Sequence, residues 1–213
     1  RRVFVALMGA GDPQDAVSRL LALDLRGAAD RDIVRVLVDC AGQEKAFNPY
    51  YAAVGVQLCR VKHAFKFTFQ LALWDNIKGA GSMTTRRVYN LARLQAALIK
   101  GQALSLAALK VFDFARLDAK RLLWLRATVD ALLAECESAE QVAALFGRCG
   151  TGRDVMLIRD GMTLFLSKYM KAHIALTYES DADMAKVMRL RLKTAKRALD
   201  AVRPPSHVDD SYF

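Results

Sequence analysis

Cys59 and His63 lie four residues apart, a spacing that puts a thiol and an imidazole on one helix face and could begin a zinc site. Two further ligands at suitable spacing are missing, because His173, His207, Cys40, Cys136 and Cys149 are scattered along the chain. No metal and no other cofactor is therefore expected, and the cysteines read as reduced core thiols. The glycines at 147, 150 and 152 resemble a phosphate-binding loop, but the Gly-Lys-Ser/Thr ending is absent and the segment follows a helical pattern where a nucleotide loop follows a strand. Asp12 and Asp15 could pair as carboxylates for acid–base work. Their position before an apolar run makes them N-terminal helix charges instead. With no Ser, His and Asp arrangement to assemble, nothing points to an enzyme or to a small-molecule substrate.

Charge is the remaining chemistry. The 213 residues carry a formal net charge of +10, which makes an acidic partner, and nucleic acid first among such partners, the expectation. Between Lys45 and Leu117 eleven basic residues face only two acids, Asp75 and Asp113, so nearly all the excess sits in one third of the chain. The candidate contacts there are Arg60, Lys62, Lys66, Lys78, Arg86, Arg87 and Arg93. Arg86 and Arg87 lead, as solvated side chains beside a flexible glycine break that would let them reach a phosphate backbone. Such contacts position a polyanion without reading its bases. Among the nearby aromatics, Phe65 and Phe69 fall on a buried stripe, whereas Phe67 is offset from it and free to stack on a base.

The elements that must hold these residues are helices. Asn48 before Pro49 is a helix entrance, since the Asn side chain accepts an orphan N–H and Pro at the first helical position loses no bond. Tyr50, Val54 and Leu58 then recur four apart, with Ala53, Val56 and Cys59 widening the stripe; Phe65, Phe69, Leu73 and Ile77 repeat the pattern in a second helix beside it. A short helix is predicted over Arg2 to Met8. Asp12 caps another that buries Ala16, Leu20 and Leu23, and Asp30 one that buries Ile33, Val34, Leu37 and Val38. After the Gly79-Ala80-Gly81-Ser82 break, Thr84 or Thr85 opens a helix with Leu91, Leu94, Leu98 and Ile99 inside, and Ser105 a shorter one through Phe112.

Helices near Ala119 to Ala134 and Ala139 to Phe146 follow, the latter capped by Ser138. Beyond the glycine loop, Ile158, Met162, Phe165, Tyr169, Ala172 and Leu176 make one stripe, broadened by Leu157, Leu164, Leu166 and Ile174. A last helix, Asp181 to Val202, shows a narrow seam of Ala185, Met188, Leu192, Ala195, Leu199 and Val202 that suits a packed cap or a docking element. Residues 203–213, with Pro204 and Pro205, are expected to be a disordered tail. No proline interrupts residues 50 to 203 and no apolar run reaches the roughly 18 residues of a membrane span, so the chain is expected to be all-α and not a membrane protein.

The run from Asp39 through QEKAFNPYYA, then Leu58-Cys59, then FTFQ followed by Leu73-Trp74-Asp75, resembles the C-terminal MA-three domain of nucleolar proteins that join it to a translation-initiation-scaffold middle domain, of the suppressor-of-glycerol-defect type. Arg1-Arg2, the DPQDAVSRLLAL and RDIVRVLVDC segments, and Leu104-Ser105-Leu106 followed by Leu109-Lys110 agree in order; Ala41 stands where such proteins often have a second cysteine. The resemblance implies a HEAT-like stack of antiparallel helical hairpins over residues 1–113, with residues 114–202 as a C-terminal helical extension packed on it. It also implies a nucleolar scaffold in small-subunit assembly, with pre-ribosomal RNA and ribosome-assembly proteins as partners and a DEAD-box helicase engaged through a domain absent from this chain, whose Arg-Arg opening reads as that of a fragment. The alternatives are an MA-three module that itself binds the helicase, which this charge disfavours, and a spliceosomal relative acting in pre-mRNA splicing.

Overall fold

Local capping starts several of the helices in the computed structural model, which describes residues 1–23, 29–149 and 154–202. Asp12 accepts the Asp15 N–H at 2.8 Å, Asn48 the Tyr50 N–H at 3.0 Å, Thr84 the Arg87 N–H at 3.2 Å, Ser138 the Gln141 N–H at 3.2 Å and Asp181 the Met184 N–H at 2.9 Å. The helices are α1 Arg2–Met8, α2 Pro13–Leu21, α3 Ala29–Gln43, α4 Pro49–Val61, α5 Ala64–Lys78, α6 Thr85–Lys100, α7 Ala119–Ala134, α8 Ala139–Phe146, α9 Asp154–Phe165, α10 Lys171–Thr177 and α11 Ala182–Asp200. Among the described residues there is no strand, and no helix is long and apolar enough to cross a membrane.

Two compact units form. The first joins Arg1–Leu104 to Leu117–Leu132; the second joins Ser105–Arg116 to the described residues from Leu133 on. In the first, α2 packs most heavily on α4 and α3 on α5, followed by α3 on α6, α1 on α2 and α4 on α6, as in a HEAT-like stack where each hairpin lies on the next. Phe65, Phe69, Leu73 and Ile77 are buried on α5, as the spacing predicts. The aromatic of α4 is exchanged: Tyr51 is buried, with its hydroxyl donating to Glu44 at 2.8 Å, while Tyr50 is half-buried and donates to the Leu7 carbonyl at 2.6 Å. Two polar contacts tie α7 to α6 in the core, where the Trp124 indole donates to Gln95 at 2.8 Å and the Thr128 hydroxyl to the Ala92 carbonyl at 3.2 Å.

Other expectations change. The Gly79 to Ser82 break is an ordered 3-10 turn, with Ala80 fully buried, the Gly79 N–H bonded to the Asp75 carbonyl at 3.0 Å and the Ser82 hydroxyl to the Gly79 carbonyl at 3.0 Å. The Ser105 helix is also 3-10, over Leu106–Val111. Asp30 lies in the first turn of α3, one residue inside it, and Leu23 lies past the end of α2, half-buried.

In the second unit α11 packs on α8, α9 and α10 and buries Ala185, Met188, Leu192, Ala195 and Leu199, so the seam is a packed face of that unit. Between α9 and α10 the chain takes a π turn, Leu166–Met170. Its wider spacing rotates everything downstream, so the buried face continues through Leu166, Met170 and Ile174 and leaves Ala172 and Leu176 exposed, Leu176 at 76%. Leu157 and Leu164, expected to broaden the buried stripe, are exposed as well. The glycine loop falls partly, and the 203–213 tail wholly, outside the described residues.

Candidate nucleic-acid interface

The candidate basic contacts come from α4, α5 and α6 and the turns joining them. They differ sharply in how far their charge is already satisfied. Arg60, at the last turn of α4, Lys78, at the last turn of α5, and Arg86, in the first turn of α6, are exposed, and their side chains have no ion-pair partner among the described residues. The Lys78 carbonyl, by contrast, is engaged, accepting from Arg121 at 2.6 Å. Lys66 is half-buried and donates to the Gln102 carbonyl at 3.3 Å.

Lys62, Arg93 and Arg87 are engaged in the fold. Lys62 pairs with Asp30 at 2.8 Å and lies 5.9 Å from the Phe65 ring centroid. Arg93 is half-buried over the Phe47 ring, 5.0 Å from its centroid. Arg87 requires a correction, since a solvated side chain is expected and a bridging one is found. Its guanidinium donates to Asp39 of α3 at 2.8 Å and to Asn76 of α5 at 3.3 Å, and only 22% of the side chain is exposed. A Cβ added at Gly42 would meet it at 2.9 Å, so α3 presents bare backbone to this arginine. Asp39 lies 48 residues away in sequence, which is why charge counting and periodicity miss the pair.

Arg60, His63, Lys66 and Lys100 converge on one groove of about 490 Å³, floored by Val56, Cys59, Gly101, Gln102 and Ala103. Among the described residues no acidic side chain lines it. Burial pushes the Cys59 thiol up to about 11, with Lys66 pulling it back, so at neutral pH it is a protonated wall residue. Lys100 and Gln102 are the contributions that sequence missed as site residues; a Lys in the last turn of α6 was visible as charge, but its approach to α4 was not. Phe67 is 63% exposed, in keeping with its offset from the buried stripe. No group of three or more His, Cys, Asp or Glu that could hold a metal is found among the described residues.

Residues 1–105 match the MA3 domain family. The chain is similar to nucleolar MIF4G domain-containing protein 1 of Homo sapiens, 35% identical over 199 residues, which is 93% of this chain and 23% of that protein. It is also similar to suppressor of glycerol defect protein 1 of Schizosaccharomyces pombe, 29% identical over 177 residues, 79% of this chain and 22% of the relative. Pre-mRNA-splicing factor CWC22 of Mycosarcoma maydis matches over less, 23% identical across 52% of this chain and 12% of that protein. The chain thus spans less than a quarter of the length of these relatives.

Proposed function

Because the chain belongs to the MA3 family, in the branch of the nucleolar MIF4G-domain proteins, we propose that it is a non-enzymatic scaffold domain of a small-ribosomal-subunit assembly factor, acting in the nucleolus. Its partner is pre-ribosomal RNA, with assembly proteins alongside, held by the basic surface of α4, α5 and α6. The observation that carries this is the set of exposed cations without acidic partners among the described residues, Arg60, Lys78 and Arg86, on the basic surface of α4, α5 and α6. Lys62, Arg87 and Arg93 serve that surface mainly by holding it together. Engagement of a DEAD-box helicase belongs to a separate domain, since this surface lacks the acidic or mixed face such a partner would need. The nucleolar relatives match nearly the whole chain and the splicing factor about half of it, which favours ribosomal over spliceosomal RNA.

Crosslinking in cells, followed by identification of the attached RNA and protein, tests the proposal. Recovery of small-subunit precursor RNA is expected; recovery of spliceosomal RNA, or of a helicase without RNA, would overturn it.

A further inference from the structure

We infer that the outer face of α11 is a second RNA-contacting surface, on which Lys186, Arg189, Lys193 and Arg197 hold the phosphate backbone of a paired stretch of RNA. The inference rests on the RNA partner proposed above, but it stands on the second unit and uses no residue of α4, α5 or α6.

This face is separate from the packed side of the same helix. Ala185, Met188, Leu192, Ala195 and Leu199 are buried and fix the rotation of α11 in its unit. Arg191, half-buried, is engaged by the fold, donating to the Leu133 and Ala134 carbonyls at 2.9 Å each. Lys186, Arg189, Lys193 and Arg197 are exposed, and their side chains have no ion-pair partner among the described residues. Their spacings of three, four and four residues set them in one row on the helix surface, about 16 Å long at a rise of about 1.5 Å per residue.

Counting charge along the sequence hides this row, because acids stand at both ends of the helix. Asp183 is in the first turn and Asp200 is the last residue, whereas residues 184–199 contain six Lys and Arg and no acid. An ordinary solvated helix face places acids four residues from bases. Here like charges stand three and four apart, which destabilises the free helix, and the helix dipole favours only Arg197, in the last turn. Such a row on a rigidly packed helix suits a polyanion.

The remaining side chains of the face select the polyanion. Val187 and Leu190 are exposed and Thr194 is half-buried, with no aromatic ring in α11 to stack on a base. Nor does α11 contain an Asn or Gln to read a base edge. An unpaired strand would leave its bases without contacts there, while a duplex keeps them stacked inside and presents phosphates. An acidic protein would need a larger apolar centre and fewer lysines. A membrane surface would need the apolar face that α11 has already buried.

The test measures binding of the full chain and its variants to a labelled RNA duplex of roughly 20 base pairs, and to a single strand of equal length, across a salt series. Lys186→Gln, Arg189→Gln, Lys193→Gln and Arg197→Gln combined should flatten the duplex salt slope by roughly 3.6, four phosphate contacts at about 0.9 each, and change the single-strand slope far less. With the like-charge row relieved, the urea midpoint of this variant should be at or above that of the wild type. Lys193→Gln alone should lower the duplex slope by about 0.9, which decides the matter if the fourfold variant folds poorly. If the wild type binds duplex and these changes leave its slope intact, or if it binds only single strands, the α11 surface is overturned while RNA binding by α4, α5 and α6 stands. If the wild type binds no RNA of either form, both fall. Equal flattening for the single strand, or competition by polyglutamate as strong as by duplex RNA, would also overturn the surface.

Discussion

Two adjacent arginines should behave in opposite ways. Arg87 makes charge-assisted hydrogen bonds to Asp39 and Asn76, at 2.8 and 3.3 Å, and its stem covers Gly42. A hydrogen bond to a charged group contributes roughly 1.5–3 kcal/mol, but Asp39 is 49% exposed and water recovers part of it when the arginine leaves. Lost stem packing adds back about 0.5–1 kcal/mol. Arg87→Ala is therefore expected to cost roughly 1.5–2.5 kcal/mol, or about 3–10 °C in Tm for a chain of this size. Arg86→Ala, which removes an exposed side chain with no partner among the described residues, should stay within about 0.5 kcal/mol of wild type. Urea titrations followed by circular dichroism measure both. In a double-mutant cycle Asp39→Asn should couple to Arg87→Ala by about 0.5–1 kcal/mol and to Arg86→Ala by nothing measurable. For RNA binding the order reverses, with Arg86→Glu weakening it while leaving the melting curve alone. Equal stability of the two alanine variants, or absent coupling to Asp39, would refute the assignment of Arg87 to the fold.

In the second unit, Gly161→Ala would drive its new methyl into the Phe114 ring, which is buried and stands 6.5 Å from Phe112 centroid to centroid. Overpacking of this kind costs about 1–3 kcal/mol, exceeds the gain in helix propensity, and should be relieved by Phe114→Leu in the same thermal melts. Gln95→Leu removes the acceptor of the buried Trp124 indole N–H and should destabilise by roughly 1–3 kcal/mol, with a near-UV circular dichroism change reporting the freed tryptophan. Burial raises Cys59 and Cys149 from 9.0 to about 11. Both thiols are protonated in folded and unfolded chains below pH 9.0, so stability is intact there; between 9.0 and about 11 the unfolded chain ionises first and stability falls as pH rises. The slope is at most roughly 1.4 kcal/mol per pH unit per thiol, and Cys59→Ala should flatten it in urea titrations at pH 8.5 and 10.5.

Much of the fold was legible because its signals are local. Asn48-Pro49, Thr84 and Ser138 satisfy helix N–H groups two or three residues on, and the Phe65, Phe69, Leu73, Ile77 stripe is complete within four turns of chain. Phe67 followed from the same periodicity, by being off the stripe. The stripe beyond Phe165 failed because a single π turn changes the phase of all later positions, and Leu166 to Met170 carries no glycine or proline that would announce one.

Sequence alone determined the helical class, the capped starts, the concentration of positive charge between Lys45 and Leu117, and the family resemblance, since each depends on residue type and near-neighbour spacing. Tertiary structure decided which of those charges remain available. Arg87 is drawn into the fold by Asp39, Lys62 by Asp30 and Arg93 by Phe47, whereas Arg60, Lys78 and Arg86 keep exposed side chains with no ion-pair partner among the described residues. The physical reason is that electrostatic and hydrogen-bond energies depend on distance and exposure in space, and neither quantity exists for a side chain until the helices that carry its partners have packed.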